Sequence, residues 1–130
     1  MNDDGRLRER SWGEKFRDAF RGMKQGVRGQ SSFFVHFFAA AAVIAAALVL
    51  KIDALAEWCL LLVCIAMVLT AEMFNSALES LAKAITDQDD PSIESALNVS
   101  SAAVLLASIG ATVVGAVVFI NRLGMLVGWW

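Results

Sequence analysis

Glu72, Asn75 and Glu79 follow the apolar run Trp58 to Ala71 with no helix breaker between them. In a continuing helix, their spacings of three and four place all three on one face. Two carboxylates roughly 10 Å apart along the axis, with an amide between them, suit a division of labour. One can accept a proton from a hydroxyl nucleophile while the other holds a divalent cation. The spacing names no reaction by itself, and a solvated helix end would also carry acids. Ionisable groups at the end of a membrane-length apolar run are nevertheless costly enough to make a functional site the default reading. Lys83, four residues beyond Glu79, is placed to pair with it. Downstream, Asp90 and Pro91 form an N-cap and first-turn pair. The helix they start carries Glu94, Asn98, Ser100 and Ser101, with Asn98 and Ser101 placed to face Glu72 and Glu79. The acidic loop Asp87, Asp89, Asp90 reads as a soluble connection or, alternatively, as a contact for a metal-bound nucleotide. His36 reads as an interfacial histidine rather than a ligand, and Glu57 as a surface residue.

The elements that must position these residues are apolar helices. Of the 130 residues, 58% are hydrophobic and 18% are charged, and there is one proline. This composition excludes disorder and proline-rich repeats and points to a membrane protein. Three apolar stretches, Phe33 to Leu50, Ala54 to Ala71 and Ala102 to Ile120, have 18 or 19 residues each. Each is roughly 27 Å long as helix, close to the thickness of a hydrocarbon core. The short link at Lys51 to Asp53 makes the first two an antiparallel hairpin. Cys59 and Cys64 lie in an apolar run without flanking histidines and read as small buried side chains. A net charge of −2 gives no reason to expect nucleic acid as a partner. No Walker A run or Gly-rich phosphate loop is present.

Eight of the eleven Lys and Arg residues precede residue 29. By the positive-inside rule this segment is cytoplasmic, the hairpin tip and Arg122 face outward, and the loop near Lys83 to Glu94 is again inside. A cleaved signal peptide is not expected, because the charged leader is too long and the apolar run behind it is long enough to span. Residues 1 to 10 read as a charged cytoplasmic tail. Ser11 and Glu14 have the form of a capping box, and Trp12, Phe16, Phe20 and Met23 then recur along one helical face. With cations around the wheel, this predicts an amphipathic helix on the cytoplasmic leaflet, or alternatively one packed on the chain's own spans. In the third span Ala103, Ala107, Ala111 and Gly115 form a small-residue stripe that admits a closely packed neighbour. Gly128, Trp129 and Trp130 read as an outer aromatic anchor. The expected fold is therefore an all-α membrane protein: an N-terminal amphipathic surface helix plus three transmembrane helices over residues 11 to 130. So thin a bundle is expected to oligomerise.

The run Glu72, Met73, Phe74, Asn75, Ser76, Ala77, Leu78, Glu79, followed after a loop by Ser100, Ser101, Ala102, Ala103, Val104, Leu105, resembles the prokaryotic diacylglycerol kinase and undecaprenol kinase family. The likeness extends over about Trp12 to Arg122, including Phe20, Arg21, Gly22, the Phe33 to His36 stretch, and Glu57 with Trp58. It implies a small three-span kinase of the bacterial inner membrane, usually a homotrimer, with its N-terminus in the cytoplasm. Such a kinase moves the γ-phosphate of Mg-ATP onto a lipid hydroxyl, here of diacylglycerol or undecaprenol. The Phe33 to His36 stretch leans toward undecaprenol. Carried over by position, Glu72 is the general base, Asn75 orients the site and Glu79 holds the metal. Gln88, Asp89, Asp90 and Asn98 lie by the nucleotide, and Ser101 lies near the lipid head group. The chain departs from the family pattern where a second metal-binding glutamate is replaced by Gln30, a neutral ligand. A Lys-Asp pair is replaced by Leu97 and Asn98, and an aspartate by Lys83, which is placed to reach the phosphates instead. These departures make a catalytically weak or silent member, binding lipid or nucleotide as a membrane scaffold, the alternative to a kinase. Phosphoryl transfer itself needs chiefly positioning and charge neutralisation.

Overall fold

The computed structural model describes residues 11–27, 31–86 and 88–129. The tail at residues 1–10, Arg28, Gln30, Asp87 and Trp130 lie outside the described residues. Four helices follow in order: α1 (Trp12–Val27), α2 (Ser31–Val49), α3 (Leu55–Ile85) and α4 (Pro91–Val127).

The capping box forms as the sequence predicts. The Ser11 hydroxyl accepts from Glu14 N at 3.3 Å, and Glu14 Oε2 accepts from Ser11 N at 2.9 Å. Two of the first-turn donors that a helix leaves orphaned are thereby satisfied. Trp12, Phe16, Phe20 and Met23 are all exposed, so the stripe faces away from the chain's own helices. That removes, within one chain, the alternative in which it packs on the spans. The ammonium of Lys15 lies 4.8 Å from the Trp12 ring centroid, a cation–π distance. At its other end α1 approaches α3, where a Cβ on Gly26 would stand 3.7 Å from the Met73 side chain.

α3 is one helix of 31 residues, about 46 Å long, and passes from the apolar run through Glu72 and Glu79 without a break. α4 begins at Pro91 because Asp90 caps it, its Oδ1 accepting from Ser92 N at 2.8 Å and Ile93 N at 3.2 Å. Pro91 at the first helical position loses nothing, since its missing N–H has no partner there in any helix. Gly128, with φ of 77°, closes α4 in the left-handed conformation that glycine adopts without steric cost.

The α2–α3 connection is held by side chains remote in sequence. Lys51 takes a φ of 53°, and the Trp58 indole donates to Ile52 O at 3.0 Å. Arg122, from the far end of α4, donates through Nε to Leu50 O at 2.9 Å and through its fork to Lys51 O, and stands 3.4 Å from Asp53 Oδ1. The hairpin tip and Arg122 thus share one end of the bundle, as expected. The apolar core sits at that end: Ala47, Ile52, Leu61 and Val118 are buried, with Val43, Trp58 and Phe119 packed against them. Cys64 is buried as expected, whereas Cys59 is exposed, and both are free.

α3 and α4 are each long and apolar enough to cross a membrane. The apolar stretch of α2, Phe33–Val49, is shorter. Only 17% of the most apolar stretch of α3 and 6% of that of α4 are buried within the chain. Helices in the core of a water-soluble domain would bury most of such a stretch, so these outer faces need a non-aqueous neighbour. The later part of the small-residue stripe of α4 stays open among the described residues. Ala111 and Gly115 line a cleft, and a Cβ at Gly115 would meet no atom within 4 Å.

Candidate active site

The three polar residues of α3 share its inward face at the end of the bundle away from Arg122. Glu72 is 2% exposed, and Asn75 is also buried, while Glu79 is half-buried. Asn75 is the centre of a connected set. Its Nδ2 donates to Glu79 Oε1 at 3.0 Å, and its Oδ1 accepts from Ser100 Oγ at 2.7 Å and Ser101 Oγ at 3.3 Å. This pattern orients the amide, because only the NH2 side can face a carboxylate acceptor and only the oxygen can take both hydroxyls. Ser100 Oγ also lies 2.8 Å from Leu97 O. Its one proton therefore serves the amide or the backbone, one at a time.

α4 meets the acids through Ser100 and Ser101. Ser101, expected to face Glu72 and Glu79, reaches Asn75 between them. Ser100, buried and making the shorter contact, is the residue whose part the sequence reading left undefined. Asn98 is exposed. The stereochemical reason is register: on a 3.6-residue helix, Ser100 sits 200° around the axis from Asn98, so one faces α3 when the other does not.

Glu72 is approached from α2. The Nε2 of His36 lies 3.7 Å from Glu72 Oε2, so the histidine belongs to the site and is not merely interfacial. One turn beyond Glu72, the Ser76 hydroxyl is buried without a hydrogen-bond partner among the described residues. Its place, four residues after Glu72 and three before Glu79, puts it on the same helix face as both acids. Ser76 is a site residue that sequence reasoning missed; its i+4 relation to Glu72 was the available signal.

Lys83, Gln88, Asp89 and Asp90 lie together, lining a cavity of about 400 Å³ with Thr86, Glu94 and Leu97 at the α3–α4 junction. Lys83 and Asp89 are exposed. Thr86 Oγ1 accepts from Gln88 N at 3.0 Å and shapes the turn. Asp90 Oδ1 is engaged as the helix cap. No group of three or more His, Cys, Asp and Glu residues with the arrangement of a metal centre occurs among the described residues. Gln30, the other expected metal ligand, lies outside them.

The described helices, apolar on their outer faces, carry at one end a buried acid, Glu72, on the same helix face as an amide that joins two hydroxyls to a second acid, beside a cavity lined by charged side chains. That combination defines a helical protein with a polar site set against an apolar exterior. The chain belongs to the prokaryotic diacylglycerol kinase family, whose model matches residues 17–119. It is similar to a diacylglycerol kinase of Synechocystis sp., at 37% identity over 102 residues, covering 77% of this chain and 57% of that protein. It is also similar to an undecaprenol kinase of Bacillus subtilis, at 26% identity over 110 residues, covering 85% of this chain and 89% of that protein. The chain thus spans little more than half the length of the first of these relatives. No solved structure matches it.

Proposed function

We propose that this protein is a membrane-embedded lipid kinase that transfers the γ-phosphate of ATP to the hydroxyl of diacylglycerol or undecaprenol. The observation that carries the reading is the network in which Asn75 joins Glu79 to Ser100 and Ser101 while Glu72 is held buried one turn away. The family and the two relatives, one named for each lipid, support a lipid substrate.

In this reading α2, α3 and α4 all span the bacterial inner membrane, with α1 on the cytoplasmic leaflet. The exposed Trp12, Phe16 and Phe20 enter the head-group region while the cations around them meet anionic lipid. The chain assembles as a homotrimer, which supplies neighbours for the apolar faces and for the open stripe at Ala111 and Gly115.

The donor set fits a magnesium ion that arrives with the nucleotide rather than a resident metal. Such ions are held by one or two carboxylates plus substrate phosphates and water. Glu79, half-buried, is the carboxylate that would hold it, with Gln30 as a neutral second donor. When bound, the ion would neutralise charge developing on the transferred phosphoryl group. The chain's own residues supply the rest. Glu72 takes the proton as the lipid O–H bond breaks, and the lipid oxygen bonds to the γ-phosphorus. The bond from that phosphorus to the β–γ bridging oxygen breaks, and ADP leaves. Asn75 keeps Glu79 oriented, Ser101 meets the lipid head group, and Lys83, Gln88, Asp89, Asp90 and Asn98 hold the nucleotide.

A second reading, a non-catalytic member that binds lipid or nucleotide as a scaffold, draws on Leu97 and Asn98 standing where the family carries a Lys-Asp pair. Transfer of labelled phosphate from ATP to diacylglycerol or undecaprenol in vesicles separates the two. The wild-type protein is expected to label lipid, and Glu72→Gln and Glu79→Gln to lose the signal. Equal signal from all three proteins would defeat the kinase assignment.

A further inference from the structure

His36 is the chain's sole histidine, and α2 delivers it to the buried acid of α3. Its Nε2 stands 3.7 Å from Glu72 Oε2, with the imidazole 21% exposed and the carboxylate 2%. That separation is longer than a direct hydrogen bond and matches a loose ion pair or a contact bridged by water. The imidazole also borders the apolar cleft between α2, α3 and α4, whose walls include Ala40, Val43, Val68 and Leu69. A carboxylate this deeply buried needs polar groups around it. Any group that fixes its rotamer decides which oxygen is presented to a reacting hydroxyl.

We infer that His36 is a positioning residue for Glu72: with Nε2 as the protonated nitrogen, it engages Oε2 and fixes the orientation in which the carboxylate meets the acceptor hydroxyl. The inference rests on Glu72 being the base, as proposed above. It assigns a role that neither the acidic run nor the small-residue stripe suggests, because the partner comes from a different helix. Geometry of this kind acts on the rate of the chemical step and not on nucleotide affinity, since His36 lies on α2 and the polar cavity at the α3–α4 junction.

The test uses phosphate transfer from ATP in vesicles carrying diacylglycerol, with undecaprenol in a parallel arm. His36→Leu keeps the apolar wall of the cleft and removes the ring nitrogens, while His36→Gln retains an N–H donor. We expect His36→Leu to lower kcat, by up to roughly a hundredfold, with the KM for ATP unchanged. His36→Gln should recover part of the loss. In nitrogen-15 spectra of the single imidazole, the Nε2 resonance should move on Glu72→Gln and stay in place on Glu57→Gln. A wild-type kcat in His36→Leu, or an Nε2 resonance indifferent to Glu72→Gln, overturns the inference and leaves the kinase reading standing. Absence of transfer by the wild-type protein in both arms overturns the kinase reading, and the positioning role with it.

Discussion

Asn75 accepts a hydrogen bond from Ser100 at 2.7 Å across 25 residues of sequence, one of the contacts that join α4 to α3 at the polar end of the bundle. Both residues are buried, so the bond is shielded from competing water. Ser100→Ala should therefore lower stability by about 1 kcal/mol, since Ser101 still reaches the same oxygen. Asn75→Leu should cost more, because it leaves the Glu79 carboxylate and both hydroxyls without the amide. Thermal unfolding of the detergent-solubilised protein checks the order of the two effects.

Arg122 ties the end of α4 to two carbonyls of the α2–α3 hairpin. Removing it in Arg122→Ala should cost about 2 kcal/mol, the range for hydrogen bonds from a charged donor. Arg122→Lys should recover little of this, because a single ammonium does not reproduce the planar fork. Equal midpoints for Arg122→Lys and the wild-type protein would show that charge alone, and not the fork, holds the hairpin.

Lys51 adopts a left-handed backbone, with φ of 53°, at the exposed tip of the same hairpin. Its Cβ is unfavourable in that conformation, and glycine has none. Lys51→Gly is expected to stabilise the protein by up to about 1 kcal/mol, read as a raised unfolding midpoint, whereas Lys51→Val should lower it.

Asp90 has two candidate roles that one pair of variants separates. Asp90→Ala removes the cap of α4 and should cost about 1 kcal/mol. Asp90→Asn keeps the capping oxygen and should leave stability nearly unchanged. If Asp90 also contacts the bound nucleotide, Asp90→Asn alters the KM for ATP at unchanged stability. An unaltered KM confines Asp90 to capping.

Lys83 lines the cavity at the α3–α4 junction. If it supplies the cation that Leu97 and Asn98 do not, Lys83→Ala should raise the KM for ATP about tenfold, equivalent to 1.4 kcal/mol. Lys83→Arg should retain most of the affinity. A rate profile in Lys83→Ala indistinguishable from wild type would remove Lys83 from the nucleotide site.

Local chemistry was legible in the sequence wherever the partners lie within a turn or two. The capping box at Ser11 and Glu14, the Asp90 cap with Pro91, and the unbroken helix through Glu72, Asn75 and Glu79 follow from side chains and backbone groups a few residues apart. Helical period alone brings such groups together. The apolar runs likewise announced their helices, because hydrophobic content is a property of composition.

Contacts between helices were not legible in the same way. The meeting of His36 with Glu72, the choice of Ser100 over Asn98 as the partner of Asn75, and the seat of Arg122 on Leu50 and Lys51 each depend on the rotation and axial offset of one helix against another. A small change in either turns a neighbouring face inward, and the spacing of residues within one helix contains no term for it. Sequence alone determined which side chains each helix carries and where it starts. Packing of α2 and α4 against α3 decided which of them meet, because that packing is settled by many contacts summed over separate segments of the chain.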